Sequence, residues 1–214
     1  MNTQRRFISL LLLTAAFIML ALASKATTSN PSNQSTLAPG DKAPDFTLTD
    51  LDDNPHTLSD YTKAGNIVVL EWFNPNCPFV RKHYIDDRNT MTATQAQFKS
   101  EKIIWLRINS AYGRHPSAEI PYNKQAVTGW NLKSPILLDT SGKVGHDYHA
   151  TRTPEFFIIT PDQTLAYQGP IDDRTDAAAP GKKNYIQEAL TNLLAGDQIT
   201  TPKRKPYGCN IKYD

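Results

Sequence analysis

Apolar and polar positions divide the chain into a series of strongly patterned segments. Ile67 to Phe73 (IVVLEWF) is nearly continuous apolar sequence, bounded by Gly65-Asn66 and Asn74-Pro75. Its β-branched and aromatic content predicts a strand buried on both faces, as in a parallel or mixed sheet under helices. Ile103 to Ile108 (IIWLRI) is a second buried strand, and Ile136 to Leu138, Phe156 to Ile159 and Leu165 to Tyr167 are three shorter ones. Turn formers crowd Asp50 to Pro55, so Thr57-Leu58 reads as a short return strand closing an N-terminal hairpin.

Helical spacing fills the gaps between these strands. A helix is expected after Cys77, with Tyr84, Met91 and Phe98 recurring every seven residues on one face. Ala118 to Trp130 can form another. Ile186, Ala189, Leu190, Leu193 and Leu194 follow the i, i+3, i+4, i+7, i+8 pattern, and Gly196 is placed to end that helix. The order strand, helix, strand, helix, hairpin and terminal helix predicts an α/β fold, a central sheet flanked by helices. The tail after Gly196 holds Pro202, Pro206 and Gly208 without helical period and reads as an extended arm.

The N-terminus follows a different pattern. Arg5-Arg6 precedes a 16-residue apolar run from Phe7 to Leu22, then the small residues Ala21, Ala23, Ser24 and Ala26. That order predicts a secretory signal peptide over residues 1–26, cut after Ala23 or Ala26. The run is short of the ~20 residues a spanning helix needs, so a membrane is involved only if the segment stays uncleaved. Residues 27–39, rich in Ser, Thr, Asn and Pro, read as a linker. They lead to a domain over 40–196 and an arm over 197–214.

Export changes the charge picture and the reading of the cysteines. Removing Arg5, Arg6 and Lys25 from 23 basic residues leaves 20 against 21 acidic ones. That balance gives no basic face for nucleic acid or an anionic membrane. Cys77 and Cys209 are the chain's two cysteines, too far apart in sequence for a metal knuckle. In an extracytoplasmic compartment, the periplasm for instance, such a pair is expected to be oxidised for part of its working life. His146 and His149 are spaced like two ligands on one helix face but lack a third, so no metal and no cofactor is predicted. The adjacent acids of Ile171-Asp172-Asp173-Arg174 read as a solvated loop.

The segment Glu71-Trp72-Phe73-Asn74-Pro75-Asn76-Cys77-Pro78-Phe79-Val80 resembles the active-site stretch of the thioredoxin superfamily. Gly40 to Leu48, with its Ala-Pro-Asp-Phe-x-Leu run, resembles the opening of redoxin domains of the alkyl hydroperoxide reductase and thiol-specific antioxidant group. With the tail Gly208 to Tyr213 the whole is similar to a peroxiredoxin-like branch over roughly residues 40 to 214. The resemblance implies a thioredoxin-like fold in which Thr153-Pro154 is the cis-proline loop facing the cysteine. Three positions depart from the patterns of the group. Val80 stands where a second active-site cysteine would be, Asn74 where a peroxidase has Thr or Ser, and Arg152 where some branch members carry a cysteine.

Chemistry is expected at Cys77. A strand-to-helix junction offers free N–H groups and the positive end of a helix dipole, which favour thiolate, and Arg81, Lys82 or His83 would add to this if one faced the sulfur. The alternative is an inert buried cysteine. Glu71, an acid inside a buried strand, is either a proton relay, as the resemblance implies, or one member of an ion pair. The resemblance places Thr153 and Pro154 where an incoming extended partner would pair, and Arg152 where it could hold an anion; a surface arginine is the other reading. Cys209 can reach Cys77 if the arm runs toward it, and the sequence leaves that direction open. Three functions follow: a thiol-disulfide oxidoreductase with Cys209 as resolving thiol, a thiol peroxidase, or a thioredoxin-fold binding module stapled by its cysteines. Substrates would be protein or small-molecule disulfides or peroxides, with an electron donor that the sequence does not identify.

Overall fold

The computed structural model describes residues 36–85 and 88–213. The signal segment expected at 1–26, and most of the linker, lie outside the described residues. Leu37 is already buried against the domain.

The chain opens with a hairpin, β1 (Thr47–Asp50) and β2 (Pro55–Thr57), followed by helix α1 (Leu58–Lys63). The central strand β3 (Ile67–Trp72) leads into α2 (Pro78–Arg81), α3 (Thr90–Gln97) and β4 (Ile103–Asn109). A 3-10 turn (Pro116–Ala118), α4 (Ile120–Gly129), β5 (Ile136–Leu138) and α5 (Lys143–Asp147) come next. The chain closes with β6 (Arg152–Thr153), β7 (Glu155–Ile159), β8 (Leu165–Gly169), α6 (Tyr185–Ala195) and β9 (Cys209–Asn210).

Seven strands form one mixed sheet in the order β2-β1-β5-β4-β3-β7-β8. β3 lies near its middle, parallel to β4 and antiparallel to β7, and every one of its residues is buried. Alternation along the strand sorts the core into two layers. Val68, Leu70 and Trp72 pack toward Leu58, Val144 and Tyr148, while Val69 and Phe73 pack toward Met91, Phe98, Ile186 and Leu190. The fold class is therefore the expected one, a mixed sheet between helices with an N-terminal hairpin and a C-terminal arm.

Three expectations need correction. The helix after Cys77 is not continuous, because α2 stops at Arg81 and α3 starts at Thr90. Val80, Lys82, His83 and Tyr84 are all buried, and a regular helix turns one stripe inward, not three successive residues. Tyr84, Met91 and Phe98 still share one core layer. Leu58 opens helix α1, which the polar composition LSDYTK did not announce, instead of ending a strand. In α6, Ile186, Ala189 and Leu190 are buried as predicted, but Leu194 is exposed. Gly196 ends α6 in the left-handed conformation, at φ 79°.

Candidate functional site

β3 ends in the turn Asn74-Pro75-Asn76, which delivers Cys77 to the start of α2. The Asn76 N–H donates to Asn74 Oδ1 at 2.8 Å and the Cys77 N–H to Asn74 O at 3.0 Å. Cys77 is the N-cap residue, with extended backbone, and Pro78 occupies the first turn, where a missing N–H costs nothing. The thiol is nearly fully covered, at 2% exposure, so whatever surrounds it decides its chemistry.

Two features cover it. The first is the Thr153-Pro154 loop, whose peptide bond is cis and whose Thr153 carbonyl accepts from Cys77 Sγ at 3.0 Å. The second is Cys209, whose sulfur stands 2.7 Å from that of Cys77; both are free thiols. Burial, then the adjacent Cys77, pushes the Cys209 thiol up to about 12, so it holds its proton through the neutral range.

The arm reaches this point by a traceable path. It first lies beside the sheet edge, where the Gln168 N–H donates to Pro202 O at 2.8 Å and the Arg204 N–H to Gln168 O at 2.9 Å. It then enters the site as β9, antiparallel to β6, with Thr153 opposite Cys209 and Arg152 opposite Asn210. Beyond β9 the Tyr112 N–H donates to Lys212 O at 2.7 Å, and Tyr213 stacks on His146 with ring centroids 4.2 Å apart. Gly208 is required for this approach. Its φ is +124°, and a Cβ there would lie 2.1 Å from Thr153 O. The backbone of Thr153, expected to pair with an incoming chain, is thus paired with the protein's own arm.

The remaining predicted residues have definite places. Arg152 is half-buried and donates to the Thr151 carbonyl at 3.0 Å. Glu71 sits between β4 and β7, accepts a short hydrogen bond from Tyr84 OH, and lies 3.4 Å from Arg107 Nε. Its other oxygen has no hydrogen-bond partner. Burial raises this carboxyl to about 7, against the opposing pull of Arg107 and Tyr84. Burial prevails over the ion pair, because Arg107 also donates to Ser134 O at 2.7 Å and its charge is shared. Of the basic residues after the cysteine, Arg81 stands over the Trp130 ring at 5.9 Å, while Lys82 and His83 turn to Asp172.

Sequence reasoning missed two acids here. Asp172 was expected in a solvated loop, yet it is 2% exposed and forms the hub of a buried cluster. Its Oδ1 accepts a short hydrogen bond from Tyr207 OH and lies 3.6 Å from Lys82 Nζ; its Oδ2 is 3.8 Å from His83 Nε2. Burial, then the Lys82 charge, holds His83 down near 4 in spite of Asp172, so the imidazole is neutral. Glu155, buried beside the cis-proline, accepts from the N–H groups of Thr151 (2.8 Å) and Arg152 (3.1 Å) and from Gln168 Nε2 (3.2 Å). It thereby fixes the strand that carries Thr153. A buried acid opening an apolar strand (EFFII) was a readable signal for Glu155. For Asp172 the sequence carries no comparable local signal, because the burial of Lys82 and His83 is visible only in the fold.

Comparison with known proteins completes the picture. The AhpC/TSA family model matches residues 39–168. A hypothetical protein of Sinorhizobium meliloti 1021 superposes with a TM-score of 0.71 at 25% identity, covering 84% of this chain and 97% of its own. An uncharacterized conserved protein of Geobacillus kaustophilus gives 0.74 at 26% identity, covering 83% and 93%. The peroxidoxin BcpB of Mycobacterium tuberculosis gives 0.55 at 17% identity, covering 74% and 97%, a likeness of fold. No curated protein sequence matches the chain.

Proposed function

Because the chain belongs to the AhpC/TSA family and has its thioredoxin-like fold, we propose that it is an exported thiol-disulfide oxidoreductase in which Cys77 is the nucleophile and Cys209 the resolving thiol. The observation that carries this reading is the 2.7 Å approach of the two sulfurs in front of a cis-proline loop. In the working cycle a substrate disulfide is attacked by the Cys77 thiolate. One substrate sulfur bonds to Cys77 and the other leaves as a thiol after taking a proton. Cys209 then gives up its proton and attacks Cys77 Sγ, releasing the second substrate thiol and forming the Cys77–Cys209 bond. An external dithiol, the electron donor, restores both thiols. Thr153, Pro154 and Arg152 receive the substrate sulfur once the arm that covers Thr153 has moved aside. Lys82 and His83 serve the Asp172 cluster in this account, and Arg81 stands over Trp130. Residues 1–26 supply the export signal.

Asn74 weighs against a peroxidase, since the hydroxyl expected three positions before a peroxidatic cysteine is an amide engaged in the turn. Reduced protein mixed with hydrogen peroxide and, separately, with a small disulfide separates the readings through loss of free thiol over time. Fast loss with the disulfide is expected. Fast loss with peroxide alone would replace this reading by the peroxidase, and sluggishness with both by a binding module.

A further inference from the structure

The site joins two distant parts of the chain through a buried polar cluster that the exchange chemistry itself does not use. Lys82 and His83 lie in the turn directly after α2, the helix that Cys77 opens. Tyr207 lies on the arm, two residues before Cys209. Asp172, in the loop after β8, lies between them, and all four residues are buried. Tyr207 OH donates to Asp172 Oδ1 and lies 3.5 Å from His83 Nε2. The ammonium of Lys82 sits 4.5 Å from the centre of the Tyr207 ring and donates to the carbonyls of Arg174 (2.6 Å) and Asp176 (2.9 Å). The Phe79 ring, two residues after Cys77 in sequence, lies 6.1 Å from the Tyr207 ring. The phenol is therefore gripped by the cysteine's own helix, the turn after it, and an acid fixed by the N–H groups of Arg174 and Gly181.

We propose that Tyr207, held by Asp172, Lys82 and His83, is a positioning residue that keeps Cys209 beside Cys77 in the dithiol protein and so sets the reduction potential of the pair. The proposal rests on the reading of Cys209 as resolving thiol. Closing a disulfide from a docked arm costs little ordering entropy, whereas closing it from a free arm must first pay that cost. The grip thus raises the effective concentration of the Cys209 thiol at Cys77 and makes the disulfide harder to reduce. Extended arms have few core contacts of their own and open locally unless anchored, and Tyr207 is the buried side chain nearest Cys209 on this one.

The test is redox equilibration of the full mature chain in buffers of reduced and oxidised glutathione. The Cys77 and Cys209 thiols lose two protons and two electrons as their S–S bond forms, and one oxidised glutathione is cleaved to two glutathione thiols. Tyr207→Phe removes only the hydroxyl and keeps the ring against Phe79 and Lys82. It should lower the equilibrium constant for disulfide formation about tenfold, the usual weight of one hydrogen bond to a charged group. For this two-electron couple that is a potential about 30 mV less negative. Gly208→Ala, which drives a Cβ into the Thr153 carbonyl, should lift the arm at Cys209 while removing no group of the cluster, and shift the potential in the same direction. A shift in both variants supports the proposal. If Gly208→Ala shifts the potential while Tyr207→Phe equals wild type, the cluster is only structural and the proposal is overturned. If neither moves it, arm docking plays no part in the redox pair, and the resolving role of Cys209 falls with it.

Discussion

Glu71 and Asp172 are both carboxylates buried near the Cys77 segment, yet they are built in opposite ways. Glu71 lies within the sheet, on the strand that ends at the cysteine turn, and its partners Arg107 and Tyr84 leave one of its oxygens without a hydrogen bond. Burial outweighs those partners and raises the carboxyl to about 7. Asp172 lies in a loop, and donors reach both of its oxygens: Tyr207 OH and the Arg174 N–H on one, the Gly181 N–H on the other. A strand can bury an acid only where its neighbours happen to point, while a loop can wrap backbone N–H groups around one. The sheet acid is thus tolerated as a proton-holding group, and the loop acid works as a clamp between segments far apart in sequence.

That contrast makes opposite predictions for the two residues. Removing the clamp should have the larger effect. Asp172→Ala leaves the Tyr207 hydroxyl and two backbone N–H groups without their acceptor and the buried Lys82 ammonium without its counter-charge, and should cost about 3–5 kcal/mol in urea unfolding at neutral pH. A loss under ~1 kcal/mol would show that the loop rearranges and that the acid holds nothing together.

Glu71→Gln should act in the other direction, and only above a certain pH. Between the ordinary carboxyl value of 4.5 and about 7, the folded protein keeps a proton on Glu71 that the unfolded chain gives up. The native state then binds more protons, so wild-type stability falls as pH rises through this window and levels off above it. Glutamine mimics the neutral acid and cannot ionise. The variant should match wild type near pH 4 and exceed it at pH 8 by on the order of 3 kcal/mol, the linkage value of such a shift. Urea midpoints at the two pH values decide the matter. A variant less stable than wild type at pH 8 would show that the Arg107 ion pair outweighs burial. Thiol exchange slowed by the same substitution would support the proton-relay role, and unchanged exchange would leave Glu71 structural.

The same contrast explains what could be read from the sequence. Glu71 stands out because one acid interrupts an otherwise apolar run, and the strand, its burial and the cysteine turn follow from local pattern alone. The cis bond at Thr153-Pro154 and its place before Cys77 came from a resemblance, and the structure has both. Asp172 sits among Gly, Pro and Asp residues that read as loop, and nothing local says that Lys82 and His83 will fold back onto it. The break between α2 and α3 is hidden for the same reason, since it depends on burying polar residues that a helical wheel assigns to solvent. The arm falls between these cases. Its extended character was legible in Pro202, Pro206 and Gly208, but its direction is set by Tyr207 and by the backbone pairing of β9 with β6.

The central claim is that Cys77 and Cys209 form one redox pair, and peptide mapping tests it most directly. The purified protein, oxidised by a small disulfide, is alkylated and digested without reduction, and its peptides are weighed. The account predicts a linked peptide joining the Cys77 and Cys209 segments within one chain, lost on reduction and absent from Cys209→Ser. Closing a loop with 131 residues between the two cysteines, that bond should also raise stability by about 4–5 kcal/mol in the chain-entropy model. Separate mixed disulfides on the two cysteines, or links only between chains, would contradict it.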